Sequence, residues 1–428
     1  MNPWLHLGAF IILYLWLAWR RLDIAIALLL FLLPAYQFRF TLFVPSTYLE
    51  VMIVICLAVW AVQITVRHQW RETRWPWRWL ICAFAVAGAV AVAVSPNIRN
   101  ALGLYKAYVI EPVLFFIVVV NVMKTPAHWK KIFFALGSSV VIIGLAALFQ
   151  QADILPGAGS YLLEHPPRST SLFEFPTAVG KYVAPILAVF LSLLLVKTKS
   201  VGRGMWHSGN VMYIGVIGFG IMALMLSVSR GALIGVGAAL VFVSFFSRWR
   251  KWLLIGIASI AVLCLVIPVT RHELVSIVNI QDTSADVHVV MWKGTLRMIA
   301  DRPIFGAGLA GFPELYEQYK EASHVEFFPN PDHLFLTLWV EMGLLGLAVF
   351  LWIIVKWLRT GAFVVKSQFV EYRPYAVGVM AALVAIITHG FFDTPYFKND
   401  LAVMFWALAA VLIAMRLSIG DEEKKLTD

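Results

Sequence analysis

Asp332 and His333 are adjacent at the start of a long apolar run, and they are the side chains best suited to proton transfer. Either can accept a proton from a hydroxyl near neutral pH when its surroundings tune its pKa. The structural alternative is that Asp332 is the N-cap of the following helix and His333 is solvated. Glu341 follows Asp332 by nine residues, about two and a half helical turns. We therefore expect Glu341 to point into the helix bundle as a hydrogen-bonding partner.

Two arginines stand where an anion could bind. Arg230 lies in Ser229-Arg230-Gly231, a turn between two apolar runs that leaves no room for a hydrophilic loop. Arg168 lies in a polar stretch just before another apolar run. A guanidinium can bind a phosphate group through its planar fork of N–H donors. The alternatives are a buried ion pair for Arg230 and an arginine at the membrane surface for Arg168.

The composition predicts which elements position these residues. Hydrophobic residues make up 61% of the 428 residues and charged residues 14%, with a mean hydropathy of +0.83. A soluble fold could not bury so much apolar surface, and the apolar runs recur at membrane-spanning length. The sequence therefore predicts an all-α polytopic membrane protein with about 12–13 transmembrane helices. The predicted runs are 4–19, 23–36, 48–66, 77–95, 106–123, 129–148, 178–196, 211–228, 231–247, 252–269, 333–355, 375–390 and 401–416.

Lysine and arginine predict the orientation of the chain. Alternate loops are rich in these residues and are expected to face the cytoplasm. The other loops are expected outside: 37–47, 96–105, 149–177, 229–231, 270–332 and 391–400. The net charge of +10 then follows from topology, and no nucleic-acid partner is expected.

This topology divides the chain into four parts. They are the N-terminal transmembrane helices (1–269, with the outside loop 149–177), the long extracytoplasmic loop (270–332), the C-terminal transmembrane helices (333–416) and a cytoplasmic tail (417–428).

The long loop contains two recognisable segments. Residues 288–300 read as an amphipathic helix on the membrane surface, with apolar residues at Val289, Trp292, Leu296 and Ile299. Residues 303–311 contain the spacing G-x-G-x-x-G. Because no βαβ unit precedes it, we predict a tight turn against the membrane helices and no dinucleotide site.

Four motifs follow one another in the chain: Arg168-x-x-Ser-Leu-Phe-x-x-Pro-Thr; Ser229-Arg230-Gly231; Trp292 with Asp301-x-Pro303-Ile304-x-Gly306-x-Gly308-Leu309-x-x-Phe312; and Asp332-His333-Leu-Phe-Leu-x-x-x-x-Glu341-x-Gly343-Leu-Leu-Gly346. Their order and spacing resemble the O-antigen ligase and O-antigen polymerase family. The resemblance covers residues 168–346, and the hydropathy pattern extends it over the chain.

The resemblance implies a metal-independent, inverting glycosyltransferase of GT-C-like fold, without a cofactor. It implies a multi-pass protein of the bacterial cytoplasmic (inner) membrane, with its active site facing the periplasm or exterior. The implied donor is a glycan on undecaprenyl diphosphate, and the acceptor is a sugar hydroxyl of a glycan or glycolipid. Ligase and polymerase differ in the acceptor, which no motif specifies. Arg168 and Arg230 match positions at which the family keeps diphosphate-binding arginines.

The chain departs from the family pattern at two places. The family usually has His-Asn nine and eight residues before the helix glutamate, where this chain has Asp332 and His333, so either residue is a candidate base. The family often has an arginine four residues before the tryptophan, where this chain has His288. His288 and Arg297 are therefore candidate diphosphate contacts, and Arg271 and Lys293 are further alternatives.

A transporter or flippase of lipid-linked glycans is the alternative function. It would predict paired half-structures with broken helices and charges near the midplane. Here the polar residues cluster at one face, and the sequence contains no convincing repeat. A cavity open only to the outside and to the bilayer would favour the transferase, whereas a path to both faces would favour transport.

Overall fold

The structure is a computed structural model that describes residues 3–41, 45–157, 159–196, 208–266, 283–321 and 328–427. Arg271 lies outside the described residues. The helices before the long loop are α1 (Pro3–Arg20), α2 (Leu22–Phe31), α3 (Tyr48–Val66), α4 (Arg78–Ala93), α5 (Ile98–Tyr105), α6 (Glu111–Val122), α7 (Pro126–Gln151), α8 (Pro176–Leu195), α9 (Ser208–Ser227), α10 (Arg230–Ser244) and α11 (Arg250–Val266). Those that follow are α12 (Thr283–Asp301), α13 (Phe312–Tyr316), α14 (Leu334–Lys366), α15 (Arg373–His389) and α16 (Asn399–Thr427).

Short elements join some of these helices. A π-helical turn, Lys106–Ile110, links α5 to α6, so that Ile98–Val122 forms one span. The 3₁₀ turns are Leu33–Gln37, Trp70–Glu72, Tyr161–Leu163 and Val370–Tyr372. Strands β1 (Arg39–Thr41) and β2 (Pro45–Thr47) form an antiparallel hairpin, with Phe40 opposite Ser46.

Apolar helices of membrane-spanning length dominate the fold. Within the described ranges, eight helical segments are long and apolar enough to cross a membrane, and four shorter apolar helices accompany them. This confirms the predicted all-α polytopic class. The eight segments are Tyr48–Val66, Ile98–Val122, Pro126–Gln151, Pro176–Leu195, Asn210–Ser227, Leu334–Lys366, Val370–His389 and Asn399–Glu423.

Helix α16 lies at the centre of the bundle, where every residue from Leu401 to Met415 is buried. It is hydrophobic around its whole circumference, which is typical of a helix enclosed by others. Aromatic contacts fix its neighbours: Phe405 lies 4.7 Å from Trp357 of α14, and Trp406 lies 5.2 Å from Phe116 of α6, between ring centroids. The helix continues to Thr427, through the residues expected to form the tail.

Small residues bring the Ser229–Gly231 turn close to two other helices. A Cβ at Gly180 of α8 would collide with Ser229, and one at Gly231 would lie 2.9 Å from Cδ2 of His389 on α15. A Cβ at Gly235 would lie 2.9 Å from the Ala385 carbonyl oxygen. Such residues let helix backbones approach closely in a membrane. The start of α10, including Arg230, is thereby held against the ends of α8 and α15.

Helix α14 is interrupted at Gly343, whose φ of 68° is left-handed. The turn formed by residues 303–311 fills the break: Ala307 N donates to Val340 O (2.7 Å), and Leu344 N donates to Ile304 O (2.9 Å). A side chain at Gly343 would meet the Ile304 carbonyl oxygen. The predicted packing of this glycine-rich turn against a membrane helix is confirmed.

Helix α12 forms where the amphipathic helix was predicted, but the face that it buries differs from the predicted one. Met291, Thr295 and Met298 are buried, at a spacing that lies on one helix face. Leu296, expected on the apolar face, is 53% exposed. Trp292 Nε1 donates to Pro331 O (2.9 Å), which fixes the helix to the residues just before Asp332.

Candidate active site

Two cavities with charged side chains in their linings adjoin at one end of the bundle. The first, called the arginine cavity, has a volume of about 580 Å³ and is lined by Arg168, Arg230 and His389 among others. The second, called the aspartate cavity, has a volume of about 630 Å³ and is lined by Asp332 and Lys181 among others. The residues that line both cavities are Thr177, His288, Phe392 and Asp393.

Arg168 is held beside the end of α9. Its Nε donates to Ser227 O (3.4 Å), its Nη1 lies 3.8 Å from Oε2 of Glu164, and the amide of the next residue donates to Leu226 O (2.8 Å). Because α9 ends at Ser227 and α10 begins at Arg230, these contacts place both arginines around the same short turn. Arg230 is exposed and lines the arginine cavity. The cavity therefore receives arginines from two separate segments of the chain, and the carboxylates of Glu164 and Asp393 line it as well.

Asp332 lines the aspartate cavity in a backbone conformation that few residues adopt. Its φ is 46°, in the left-handed region where aspartate and asparagine are enriched. Its amide donates to Oδ1 of Asn330 (3.0 Å), which stabilises the turn. Burial is the largest effect that raises the pKa of the Asp332 carboxyl above its usual range, and the negative charge of Asp393 raises it further. The positive charge of Lys181 acts in the opposite direction. A carboxylate with a raised pKa is suited to accepting a proton near neutral pH.

His333 has a structural position and lines neither cavity. It is the N-cap of α14, because its Nδ1 accepts a hydrogen bond from Leu336 N (3.3 Å). Its ring lies 5.5 Å from those of Trp292 and Phe391, and burial lowers its pKa. The structural alternative considered from the sequence had Asp332 as the N-cap and His333 in solvent. In the structure His333 is the N-cap, and its ring is half-buried among aromatic rings.

A buried ion pair stands where the two cavities meet. Nζ of Lys181 lies 2.9 Å from Oδ1 of Asp393, and the side chains are 12% and 11% exposed. Asp393 also accepts a hydrogen bond from Thr394 N (2.7 Å). Sequence reasoning did not select Lys181. A single lysine inside the apolar run 178–196 was the available signal, because ionisable groups at membrane depth are costly.

Of the remaining candidate residues, one lines the cavities and two lie outside them. His288 lines both cavities. Arg297 lines neither: its side chain is 52% exposed, donates to Tyr319 O (2.9 Å) and lies 3.7 Å from Glu321. Glu341 is buried, and its Oε2 accepts a hydrogen bond from Ala310 N (2.6 Å) in the turn that fills the break in α14.

The cavity linings group the loops as the charge pattern predicts. Around the aspartate cavity, residues from 37–47, 149–177 and 391–400 come together with Asn330 and Asp332. Basic loops meet α16 in a separate cluster, where Arg74 pairs with Asp421 (2.5 Å) and Ser418 donates to Lys124 O (2.9 Å). Within the described residues, no group of three or more His, Cys, Asp or Glu side chains could hold a metal ion.

A bundle of apolar helices with two adjoining cavities at one end defines a polytopic membrane protein with charged residues gathered at that end of the bundle. Residues 214–351 match the model of the O-antigen ligase family, so this part of the chain is similar to that family. The match confirms the predicted resemblance and supports a ligase- or polymerase-like transfer of glycans. It contains Arg230, His288 and Asp332, whereas Arg168 precedes it. A comparison with curated proteins gave no match.

Proposed function

We propose that this protein is a membrane glycosyltransferase that moves a glycan from undecaprenyl diphosphate to a sugar hydroxyl. The acceptor is a glycan or glycolipid at the outer face of a bacterial cytoplasmic membrane. The observation that carries the proposal is the adjoining pair of cavities, one with two arginines and the other with Asp332. A transfer reaction needs these two environments side by side, one for the leaving group and one for the nucleophile.

The arginine cavity suits the diphosphate of the donor. Arg168 and Arg230 supply guanidinium groups for its oxygens, and His288 lines the same space. Val228, Ile234 and Val289 add apolar surface to the lining. Ile234 is 38% exposed on α10, an apolar helix. A polyprenyl chain attached to the diphosphate could therefore remain in the bilayer beside this helix.

The aspartate cavity suits the acceptor. Asp332 takes the proton of the acceptor hydroxyl, and the oxygen attacks the anomeric carbon of the donor sugar. The bond from that carbon to the diphosphate oxygen breaks, and its electron pair leaves with undecaprenyl diphosphate. A single displacement inverts the anomeric configuration. The arginines stabilise the charge that develops on the leaving diphosphate, so the proposed step uses no metal ion.

The location of the cavities favours transfer over transport. In the described ranges, their lining residues come from the end of the bundle that carries the loops expected outside. Although α14 is broken at Gly343, the turn of residues 303–311 fills the break with backbone hydrogen bonds. A transporter would instead be expected to place its substrate at broken helices near the membrane midplane.

The test is to supply purified protein in lipid with labelled undecaprenyl-diphosphate oligosaccharide, with and without acceptors, and to follow release of undecaprenyl diphosphate. Release coupled to a longer glycan identifies a polymerase, and release coupled to a glycosylated lipid identifies a ligase. The folded Asp332→Asn variant is the matched control and should release almost none. No release by folded wild-type protein with any acceptor would contradict the proposal.

A further inference from the structure

Lys398 is a charged residue of the aspartate cavity that the proposed reaction does not use. Its Nζ lies over three aromatic rings, 4.6 Å from the centroid of Tyr36, 5.4 Å from Phe173 and 5.7 Å from Phe175. These distances are typical of cation–π contacts. Nζ is buried and has no hydrogen-bond partner among the described protein atoms. The rings hold the ammonium in place without satisfying its three N–H donors.

The other cations of this cavity already have carboxylate partners. Lys181 pairs with Asp393 at 2.9 Å, and the exposed Arg39 lies 3.7 Å from Glu174. Glu50, which also lines the cavity, is 2.9 Å from Lys106. Asp393, Glu174 and Glu50 are therefore engaged by other cations, and the buried Asp400, whose charge acts on Lys398, forms no hydrogen bond with it.

The electrostatic surroundings of Lys398 leave it suited to an external anion. Burial lowers its pKa, and the negative charge of Asp400 opposes that effect without a direct salt bridge being formed. An ammonium buried without hydrogen bonds is costly, and an anion in the cavity would supply the missing acceptor once the flexible lysine side chain turned its Nζ from the aromatic rings toward the cavity. Lysine serves this purpose as a compact point charge on a flexible stem.

Aromatic residues surround the same space. Tyr36, Tyr108, Phe175 and Phe397 line the aspartate cavity together with Lys398 and Asp332. Aromatic faces offer flat apolar surfaces on which the C–H faces of sugar rings can pack, while polar groups at the edges fix orientation. The lining therefore combines surfaces for a carbohydrate with a buried ammonium that has no hydrogen-bond partner among the described residues.

We propose that Lys398 binds an anionic substituent, a carboxylate or a phosphate, on the acceptor glycan. This inference rests on the proposed function, because it takes the cavity containing Asp332 as the acceptor site. Binding at Lys398 orients the acceptor so that one hydroxyl faces Asp332. Acidic glycans are then preferred over neutral glycans of the same length.

The test measures binding without donor, using protein in lipid nanodiscs and three probes. The probes are trigalacturonate, its carboxyl-reduced neutral counterpart and maltotriose bearing one phosphate; the two acidic probes separate a carboxylate from a phosphate. Lys398→Met removes the charge and Lys398→Arg retains it. Lys320→Met is the matched control, because Lys320 pairs with Glu317 and lines neither cavity.

We expect wild-type protein to bind at least one acidic probe at least tenfold more tightly than the neutral one. Lys398→Met should abolish this preference, whereas Lys398→Arg and Lys320→Met should keep it. Equal affinity for acidic and neutral probes, no binding of either acidic probe, or a preference that survives Lys398→Met would overturn the proposal. The wild-type comparison decides the matter even if Lys398→Met does not fold. Release of undecaprenyl diphosphate, measured separately, shows whether the proposed function itself fails.

Discussion

The ammonium of Lys181 and the carboxylate of Asp393 are 2.9 Å apart, at the place where the arginine and aspartate cavities meet. The pair joins α8 to the loop that follows α15. Burial is the main cause of the raised Asp332 pKa, and the pair adds two opposing effects, because Asp393 raises that pKa and Lys181 lowers it. The same contact therefore connects the two halves of the site and influences the proposed base.

We expect the Lys181–Asp393 pair to behave as a unit in folding. Lys181→Met or Asp393→Asn alone leaves a buried charge without its partner and should lower the free energy of unfolding by about 3–5 kcal/mol. The double variant removes both charges and should recover most of that loss. Reversible unfolding in mixed micelles measures the three values. If the loss of unfolding free energy in the double variant instead equalled the sum of the two single losses, the two residues would act independently.

The rate of transfer should rise with pH, with a midpoint well above the usual aspartate pKa, because burial and the charge of Asp393 raise the pKa of Asp332. The sign follows from the proposed role, because only the ionised carboxylate can accept the proton, and its fraction increases as pH rises through the pKa. Undecaprenyl diphosphate release, measured from pH 5 to 9 at saturating donor, gives the profile. If His333 were the base, the midpoint would lie below the usual histidine value of 6.5 and persist in Asp332→Asn.

Glu341 should contribute to stability without taking part in proton transfer. Glu341→Ala leaves the Ala310 amide without its acceptor and should cost about 1–3 kcal/mol of the free energy of unfolding. Glu341→Gln keeps an oxygen acceptor and should retain turnover within a few fold. Turnover of the Gln variant, measured beside Asp332→Asn, checks this. A loss in Glu341→Gln as large as in Asp332→Asn would assign Glu341 a chemical role.

The break in α14 should depend on glycine at position 343. Gly343→Ala forces a Cβ into the left-handed region and against the Ile304 carbonyl oxygen, so it should cost more than about 1 kcal/mol. Gly237→Ala is the matched control, since a Cβ there meets no atom within 4 Å and alanine favours a helix. Thermal unfolding of the two variants compares them. Equal stability of both would contradict the packing described for the break.

The class of fold and the grouping of loops could be predicted from the sequence, because both follow from local properties. Apolar runs of membrane-spanning length specify helices, and lysine and arginine in alternate loops separate the two faces. Arg168, Arg230 and Asp332 could also be selected, because a charge or a polar pair next to an apolar run is costly enough to indicate a use. His288 became a candidate only through the family resemblance.

The details of the site depend on contacts between distant residues, which the sequence does not specify. Lys181 and Asp393 are 212 positions apart, and neither neighbourhood in the sequence indicates the other. The different positions of Asp332 and His333 depend on a left-handed backbone at position 332 and on His333 being the cap of α14. Arg297 had the charge and the helix expected of a diphosphate contact, but its position on α12 directs it to Glu321.

The roles proposed for the two arginines and for Asp332 are tested most directly by steady-state kinetics of four folded variants, with the undecaprenyl-diphosphate donor and a working acceptor. Arg168→Ala and Arg230→Ala should each lower kcat/KM for the donor by about 100-fold to 1000-fold, because each removes stabilisation of the leaving diphosphate. Asp332→Asn should lower kcat with little change in donor KM. Arg297→Ala, which lies outside both cavities, should match wild type. Unchanged turnover and donor affinity in Arg230→Ala would contradict the assignment of the arginine cavity to the donor diphosphate.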